Sequence, residues 1–255
     1  MILVSILITS DEKKEEDLPL GIIENINSFR RVHPGIPHQL FTTSTIRKLI
    51  YDHFDAEVLA AFDRLKPFAY KSDLARYCIM YRYGGVYADI STYFLKPWSL
   101  DHLTLLDHKA TSCTLAQMGL FQDFQSASIW DTSNGIFSSP PRHKALAMAI
   151  KLICENMKAS YYGKNSLCPT GPVLFGKAIA RTCEPEDLIV GKSVWINPTE
   201  NLKGLINERS HGFLFGNRLV AVKRKRGGSP LSTIGIAGGN DYNEMWDSRD
   251  IYETS

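Results

Sequence analysis

The chain has 255 residues, of which 44% are hydrophobic and 22% charged, and its formal net charge is +2 at pH 7. This composition is ordinary for a folded globular protein, and the near-neutral charge gives no reason to expect a nucleic-acid binder. The 5 cysteines are scattered without a C-x-x-C pair. That pattern favours reduced thiols in the cytoplasm over a disulfide framework or a zinc site.

The first part of the chain alternates between predicted strands and helices. Residues 2–9 are apolar and predict a buried strand, because the run is too short to span a bilayer and lacks the basic start of a signal peptide. After a charged segment, residues 20–34 have apolar positions at helical spacing and end at a proline. Residues 38–43 predict a second strand, and residues 46–65 predict two short helices.

The central part predicts a helix that leads directly into a strand. Residues 66–85 are good helix formers that stop at a glycine pair, and residues 86–91 then read as a strand. Residues 92–98 predict another short extended segment, and residues 111–117 and 128–139 predict further strands.

The second half predicts two helices and a peripheral β region. Residues 141–163 form an amphipathic pattern, residues 170–183 predict a loop followed by a helix, and residues 188–222 predict strands and turns. There is no internal repeat and no low-complexity linker, so we expect one domain over residues 1–255. Alternating helices and strands favour an α/β sheet, in which ligands collect at the carboxyl ends of the strands.

One group of polar residues has the spacing of a binding site. Asp73, Arg76 and Tyr77 lie at i, i+3 and i+4 of the predicted central helix and therefore share one face. Asp89 ends the strand that follows. An Asp–Arg pair on a helix is often only a surface ion pair, and Asp89 taken alone could be a turn residue. Together, however, such groups suit a sugar donor, whose hydroxyls accept and donate hydrogen bonds and whose diphosphate needs a counterion.

Two other signals lead to weaker predictions. The sequence VGKS at residues 190–193 resembles the end of a phosphate-binding loop, but the position of the first glycine is Glu186, which excludes that motif. The basic run, which consists of Lys223, Arg224, Lys225 and Arg226, predicts a solvated loop, with peripheral contact to an anionic membrane as the alternative.

The stretch from Pro67 to Ile90 resembles a known family. Its pattern, P-x-A-x-K-S-D-L-x-R-Y-x-I-x-Y-x-x-G-G-V-Y-A-D-I, is similar to the DXD sugar-binding region of glycosyltransferase family 32, the Och1-like group of GT-A transferases. Weaker similarity extends to residues 133–146, 170–179 and 240–252, which read SNGIFSSPPRHKAL, TGPVLFGKAI and NDYNEMWDSRDIY.

The resemblance implies a fold and a reaction. The expected fold is GT-A, a Rossmann-like α/β/α sandwich with a small peripheral β region. The expected reaction is retaining transfer of a hexose from a UDP- or GDP-sugar to a glycan or glycolipid acceptor, of the lipopolysaccharide or capsule type, with Mn²⁺ or Mg²⁺. No nucleophile is assigned, because the leaving phosphate can itself take the proton of the acceptor. We expect a cytoplasmic protein. The alternative is a protein that is peripherally attached to the inner face of the membrane.

The resemblance also assigns roles to individual positions. The donor sugar is assigned to Asp73, Arg76, Tyr77, Asn134 and Gly135, although the Asn–Gly pair fits a β-turn equally well. The nucleotide is assigned to Thr9, Gly85, Tyr87, Asp89 and Trp246. The metal is assigned to Asp89, Ser91, Asn240 and Asp241.

Ser91 departs from the family pattern, which has a second acid at this position. A serine hydroxyl is a much weaker metal ligand than a carboxylate. Three outcomes follow: Asp89 and Asp241 hold the metal with additional waters, the enzyme works without metal, or transfer activity is lost. The last outcome would leave a nucleotide-sugar-binding protein with weak or no transferase activity.

Overall fold

The computed structural model describes residues 1–98, 103–107, 132–184, 187–224 and 230–253. The strands are β1 (Ile2–Ile6), β2 (His38–Phe41), β3 (Gly85–Ala88), β4 (Thr92–Phe94), β5 (Leu103–Asp107), β6 (Thr132–Ser139), β7 (Leu188–Ile196), β8 (Ser210–Phe215) and β9 (Arg218–Lys223). The α-helices are α1 (Leu20–Val32), α2 (Thr43–His53), α3 (Ala56–Arg64), α4 (Phe68–Tyr83), α5 (Lys144–Lys158), α6 (Pro172–Ala180) and α7 (Tyr242–Asp247).

The strands form one mixed sheet in the order β2-β1-β3-β6-β5-β7-β8-β9-β4. Strand β1 runs parallel to β2 and β3, which gives the first half the pairing of a Rossmann-like unit. Strand β6 is antiparallel to β3, and β5 is parallel to β7. The β region predicted over residues 188–222 is therefore continuous with the central sheet.

Helices cover both faces of the central strands, as an α/β/α sandwich requires. Along β3, Tyr87 belongs to the large core under helices α2 to α6, whereas Val86 and Ala88 belong to a second core with Phe29 of α1. Alternate side chains of a strand point to opposite faces, so both faces of β3 are buried. The α/β architecture expected of a GT-A fold is confirmed.

The connection between α4 and β3 depends on two glycines. Gly84 ends the helix with φ +62°, and Gly85 begins the strand with φ +118°. A Cβ atom on Gly85 would lie 1.9 Å from the carbonyl oxygen of Ile2. Since only glycine tolerates both this backbone conformation and this approach of β1, the pair fixes where the strand starts.

The predicted helices and most predicted strands are confirmed, with a few differences in their bounds. Strand β1 ends at Ile6 rather than at residue 9, because its partner β2 ends at Phe41, which is opposite Ile6. Helix α7 was not predicted. The predicted strand over residues 111–117, and the first part of 128–139, lie outside the described residues. Within the described residues, no helix has the length and apolar character needed to cross a bilayer.

Candidate active site

A cavity of about 660 Å³ lies at the carboxyl ends of β1 and β3, beside helix α4. Its volume is in the usual range for small-molecule sites. It brings together many of the residues that the sequence assigned to a site. From the donor-sugar group, it is lined by Asp73, Arg76, Asn134 and Gly135. From the nucleotide and metal groups, it is lined by Tyr87, Asp89, Ser91, Asn240 and Asp241.

Asp73 is a buried carboxylate with a fixed orientation. Its Oδ1 accepts a hydrogen bond from Nδ2 of Asn134 at 2.8 Å, and its Oδ2 accepts one from Oγ1 of Thr170 at 2.7 Å. Nη2 of Arg76 is 3.2 Å from Oδ1. Burial raises the pKa of Asp73, although Arg76 and the two hydrogen bonds oppose that rise. The side chain is thus held at the floor of the cavity.

Arg76 connects helix α4 to strand β6. Its Nη1 donates to the backbone carbonyl oxygen of Asn134 at 2.7 Å, while Nε and Nη2 donate to the carbonyl oxygen and hydroxyl of Ser72, each at 3.1 Å. The guanidinium lies 4.7 Å from the centre of the Tyr87 ring, in a cation–π contact. A planar guanidinium can serve these partners together, and it remains charged.

Asp89 lies between two cations. Its Oδ2 accepts a hydrogen bond from Nζ of Lys223 at 3.0 Å, and its Oδ1 is 3.5 Å from Nη1 of Arg76. The hydroxyl of Tyr87 donates to Oδ1 at 2.8 Å. Burial alone would raise the pKa of Asp89, but Lys223 and Arg76 outweigh it and lower that pKa below its usual value. The carboxylate is therefore ionised.

Gly135 allows the Asp89 carboxylate to lie against strand β6. A Cβ atom at position 135 would be 2.8 Å from Oδ2 of Asp89. The backbone N–H of Asp89 also donates to the carbonyl oxygen of Gly135 at 2.9 Å. The Asn134–Gly135 pair is part of a strand rather than the β-turn considered as the alternative.

Lys223 is a site residue that the sequence did not identify. It was expected in a basic run on the surface, but it ends strand β9 and contacts Asp89 inside the cavity. Its neighbour Arg224 donates to Glu24 at 2.8 Å. Membrane contact through Lys223 and Arg224 is therefore not supported by the structure, and Lys225 and Arg226 lie outside the described residues.

Four of the predicted contact residues do not line the cavity. Tyr77 is buried behind the cavity wall and holds Asn134 in position, because its hydroxyl accepts a hydrogen bond from Nδ2 of Asn134 at 2.9 Å. Thr9 donates to the carbonyl oxygen of Asp11 at 2.6 Å, and Nε1 of Trp246 donates to that of Tyr162 at 2.8 Å. Gly85 packs on β1. These contacts are internal to the fold, so nucleotide binding by Thr9, Gly85 and Trp246 stays a prediction.

One protein-family model matches the part of the chain that contains these site residues. Residues 19–110 match the model described as a glycosyltransferase sugar-binding region containing a DXD motif. The matched stretch includes Asp73, Arg76 and Asp89. This part of the chain is therefore similar to the sugar-binding region of glycosyltransferases, and the site residues lie inside it.

Similar curated proteins carry related names. The chain is 28% identical over 136 residues to the putative glycosyltransferase HOC1 of Saccharomyces cerevisiae, a match that covers 48% of this chain and 33% of that protein. It is 29% identical over 140 residues to inositol phosphoceramide mannosyltransferase 1 of Schizosaccharomyces pombe, with 54% and 39% covered. It is 28% identical over 75 residues to an uncharacterized glycosyltransferase of Acanthamoeba polyphaga mimivirus, with 29% and 30% covered. The matches thus span less than half the length of each of these relatives.

Two solved structures are similar at a lower level. The PaToxG glycosyltransferase has a TM-score of 0.48 at 13% identity, covering 70% of this chain and 67% of that one. The glycosyltransferase domain of the YGT toxin has a TM-score of 0.37 at 12% identity, with 66% and 56% covered.

A DXD region generally implies a nucleotide-sugar donor and a divalent metal, so the expected metal ligands can be tested against the structure. Asp241 caps helix α7, since its Oδ1 accepts from the backbone N–H groups of Asn243 and Glu244 at 2.8 and 3.3 Å. Oδ1 of Asn240 accepts from the backbone N–H of Phe68 at 2.9 Å. Both side chains therefore already have structural partners.

The remaining ligands do not complete a metal site. Ser91 is buried and supplies no charge, and the carboxylate of Asp89 is already neutralised by Lys223. Across the part of the chain that the structure describes, no three His, Cys, Asp or Glu side chains are grouped so that they could hold an ion. The residues at this site therefore do not fit a divalent cation.

Proposed function

We propose that this chain transfers a hexose from a UDP- or GDP-sugar to a hydroxyl of a glycan or glycolipid acceptor, of the lipopolysaccharide or capsule type. The observation that carries the proposal is the set of Asp73, Arg76 and Asp89 at the floor of one cavity, within the matched sugar-binding region. A carboxylate and a guanidinium fixed side by side can bind adjacent sugar hydroxyls and set the orientation of the ring.

The reaction breaks the bond between the anomeric carbon and the diphosphate oxygen, and the electron pair stays on the diphosphate. The acceptor hydroxyl oxygen forms the new bond to the same carbon. Its proton goes to the departing diphosphate on the same face, which retains the anomeric configuration. Asp89 is a weak base because Lys223 and Arg76 lower its pKa, and this supports the diphosphate as the proton acceptor.

The name of one relative supports the class of sugar and acceptor. It is an inositol phosphoceramide mannosyltransferase, so mannose as the hexose and a glycolipid as the acceptor are the first candidates. The cavity also offers an aromatic surface for an acceptor sugar. Trp195 lines the cavity with 49% of its surface exposed, and its ring lies 4.0 Å from that of His211.

We place the reaction in the cytoplasm. Four cysteines in the described residues are free, namely Cys78, Cys154, Cys168 and Cys183, and unpaired thiols are usual in reducing compartments.

The direct test measures release of UDP or GDP from a panel of nucleotide sugars, with and without glycan and glycolipid acceptors. We expect slow hydrolysis of one donor and faster release once a suitable acceptor is added. Folded protein that turns over no donor would contradict the proposal.

Ser91 favours a second candidate, a protein that binds a nucleotide sugar without transferring it. This candidate predicts donor binding by calorimetry with no release of nucleoside diphosphate under any of the conditions in the panel.

A further inference from the structure

We propose that the ammonium group of Lys223 takes the place of the divalent cation of a DXD site, so that the donor is bound and its diphosphate stabilised without metal. The inference rests on the proposed function and concerns the same cavity. Its starting point is the position of Nζ of Lys223, 3.0 Å from Oδ2 of Asp89, where the first acid of the motif would face a metal.

The sheet order explains why a residue distant in sequence reaches this position. Asp89, Ile90 and Ser91 are the whole connection between β3 and β4. Strand β4 pairs with β9, and Thr92 is opposite Lys223 in that pairing. The end of β9 therefore lies beside the end of β3. The backbone pairing of β4 with β9 places the lysine side chain next to Asp89.

The charges at the site balance without a metal. In a DXD site, two carboxylates and one divalent cation have no net charge. Here Asp89 and Lys223 also have no net charge, because Ser91 removes one negative charge and an ammonium supplies one positive charge. A divalent ion added to the present residues would instead bring uncompensated positive charge close to Lys223 and Arg76.

Lys223 can also contact a ligand. It lines the same cavity as Asp73 and Arg76, and its side chain is 19% exposed. An ammonium has three N–H donors, and Asp89 accepts from one of them, so the group can donate to phosphate oxygens while it keeps this contact. Arg76, 3.5 Å from Oδ1 of Asp89, adds a second positive charge close to the negative charge that develops on the leaving diphosphate, although its own donors are engaged by the protein.

The first experiment needs only the wild-type protein. Affinity for UDP and for GDP is measured by calorimetry in the presence of a chelator, and again with Mn²⁺ or Mg²⁺. We expect the better of the two ligands to bind equally, within about twofold, in all conditions. Binding that weakens by about tenfold or more on chelation would overturn the inference.

The second experiment asks whether the charge of Lys223 acts on the phosphates. Lys223→Met keeps much of the side-chain volume but removes the ammonium, and Lys192→Met, on the exposed side of strand β7, is the matched control. We expect Lys223→Met to weaken nucleoside diphosphate binding by about 10- to 100-fold, the range of a charge-assisted hydrogen bond. Binding of the corresponding nucleoside, which has no phosphate, should change by less than about twofold.

The nucleoside measurement separates a charge role from a structural one. If Lys223→Met weakens the nucleoside and the diphosphate equally, or weakens neither, Lys223 does not replace a metal. Thermal unfolding of each variant shows whether the fold is intact, and the chelator experiment tests the inference without any variant.

Failure of the inference can be distinguished from failure of the proposed function. Nucleoside diphosphate binding that requires metal overturns the inference and leaves the transferase proposal standing. A wild-type protein that binds neither UDP nor GDP, with or without metal, contradicts both.

Discussion

Nη1 of Arg76 donates a 2.7 Å hydrogen bond to the backbone carbonyl oxygen of Asn134 and thereby joins helix α4 to strand β6 at the floor of the cavity. Asn134 in turn donates from Nδ2 to Asp73. The two residues therefore fix each other and the carboxylate between them, so the face of α4 that carries Asp73 depends on a strand residue 58 positions further along the chain.

Replacement of Arg76 by lysine should impair transfer even though the charge is kept. A lysine ammonium cannot serve Ser72 and Asn134 from one planar group, so the cation now 3.2 Å from Oδ1 of Asp73 is no longer held in place. We expect kcat/KM to fall by about 10- to 100-fold and the free energy of unfolding by about 1–3 kcal/mol. Steady-state kinetics and urea unfolding measure both, with Arg82→Lys, exposed on the same helix, as the control. Equal effects of the two substitutions would show that the Arg76 geometry is unimportant.

Gly135→Ala should displace Asp89. The added Cβ would lie 2.8 Å from Oδ2, which forces the carboxylate away from Lys223. We expect donor affinity to fall by about tenfold, at a cost in stability of about 1–3 kcal/mol, which is typical of local overpacking. Gly21→Ala is the control, because its Cβ would meet nothing within 4 Å. Unchanged donor binding in Gly135→Ala would mean that Asp89 is not needed at this position.

Gly85→Ala distinguishes a structural role from nucleotide contact. Its Cβ would collide with the carbonyl oxygen of Ile2, and its φ of +118° is unfavourable for alanine. We expect a loss of more than about 3 kcal/mol in unfolding free energy, or insoluble protein. Soluble yield and urea unfolding measure this loss. A stable variant that only binds nucleotide more weakly would restore the role predicted from the sequence.

The stability of the fold should decrease as the solution becomes acidic, partly through His38. Its Nδ1 lies 3.1 Å from Nη2 of Arg30 and its Nε2 lies 3.1 Å from Oγ of Ser5, an arrangement that suits the neutral imidazole. Burial, followed by the charge of Arg30, lowers the pKa of His38 from 6.5 to about 4. The unfolded chain therefore binds the extra proton first, so the contribution is complete above pH 6.5 and is lost as the pH falls towards 4.

The size of this contribution is about 3 kcal/mol across that interval. It is measured as the slope of unfolding free energy against pH. His38→Gln should flatten the slope, whereas His53→Gln, at an exposed position in α2, should leave it as it is. A slope that His38→Gln does not change would assign the acid sensitivity to other groups, such as His33 and His143, whose pKa values burial also lowers.

Trp195→Ala should affect the acceptor rather than the donor. Loss of one aromatic contact is worth about 0.5–1.5 kcal/mol, which corresponds to a rise in acceptor KM of about 2- to 10-fold. Hydrolysis of the donor without acceptor should stay the same. Tyr51→Ala is the control, because Tyr51 is an exposed aromatic residue on α2 that does not line the cavity. A loss of donor hydrolysis in Trp195→Ala would place the indole on the donor side.

The parts of the site that could be predicted from the sequence are those encoded locally. Asp73, Arg76 and Asp89 lie within one helix–strand unit, so helical spacing and a glycine stop are enough to bring them together. Helix α7 could also have been predicted, because Asp241 and Glu244 have the spacing of a helix cap.

The parts that could not be predicted depend on pairing between distant segments. Lys223 reaches Asp89 across 134 residues because β9 pairs with β4, and no local pattern encodes which strands become neighbours. Thr170, which lies just before helix α6, also reaches Asp73 from a distant segment, across 97 residues. In the sequence, Lys223 is only the first residue of a basic run.

The pairing of Thr92 with Lys223 also has a consequence for how such sequences diverge. Positions 91 and 223 line the same cavity as Asp89, so an acid at position 91 with a divalent cation, and a serine at position 91 with a lysine at position 223, are alternative ways to balance the charge of the site. Among homologues, we therefore expect these two positions to vary together, and the residue at position 223 should indicate which sequences require a metal.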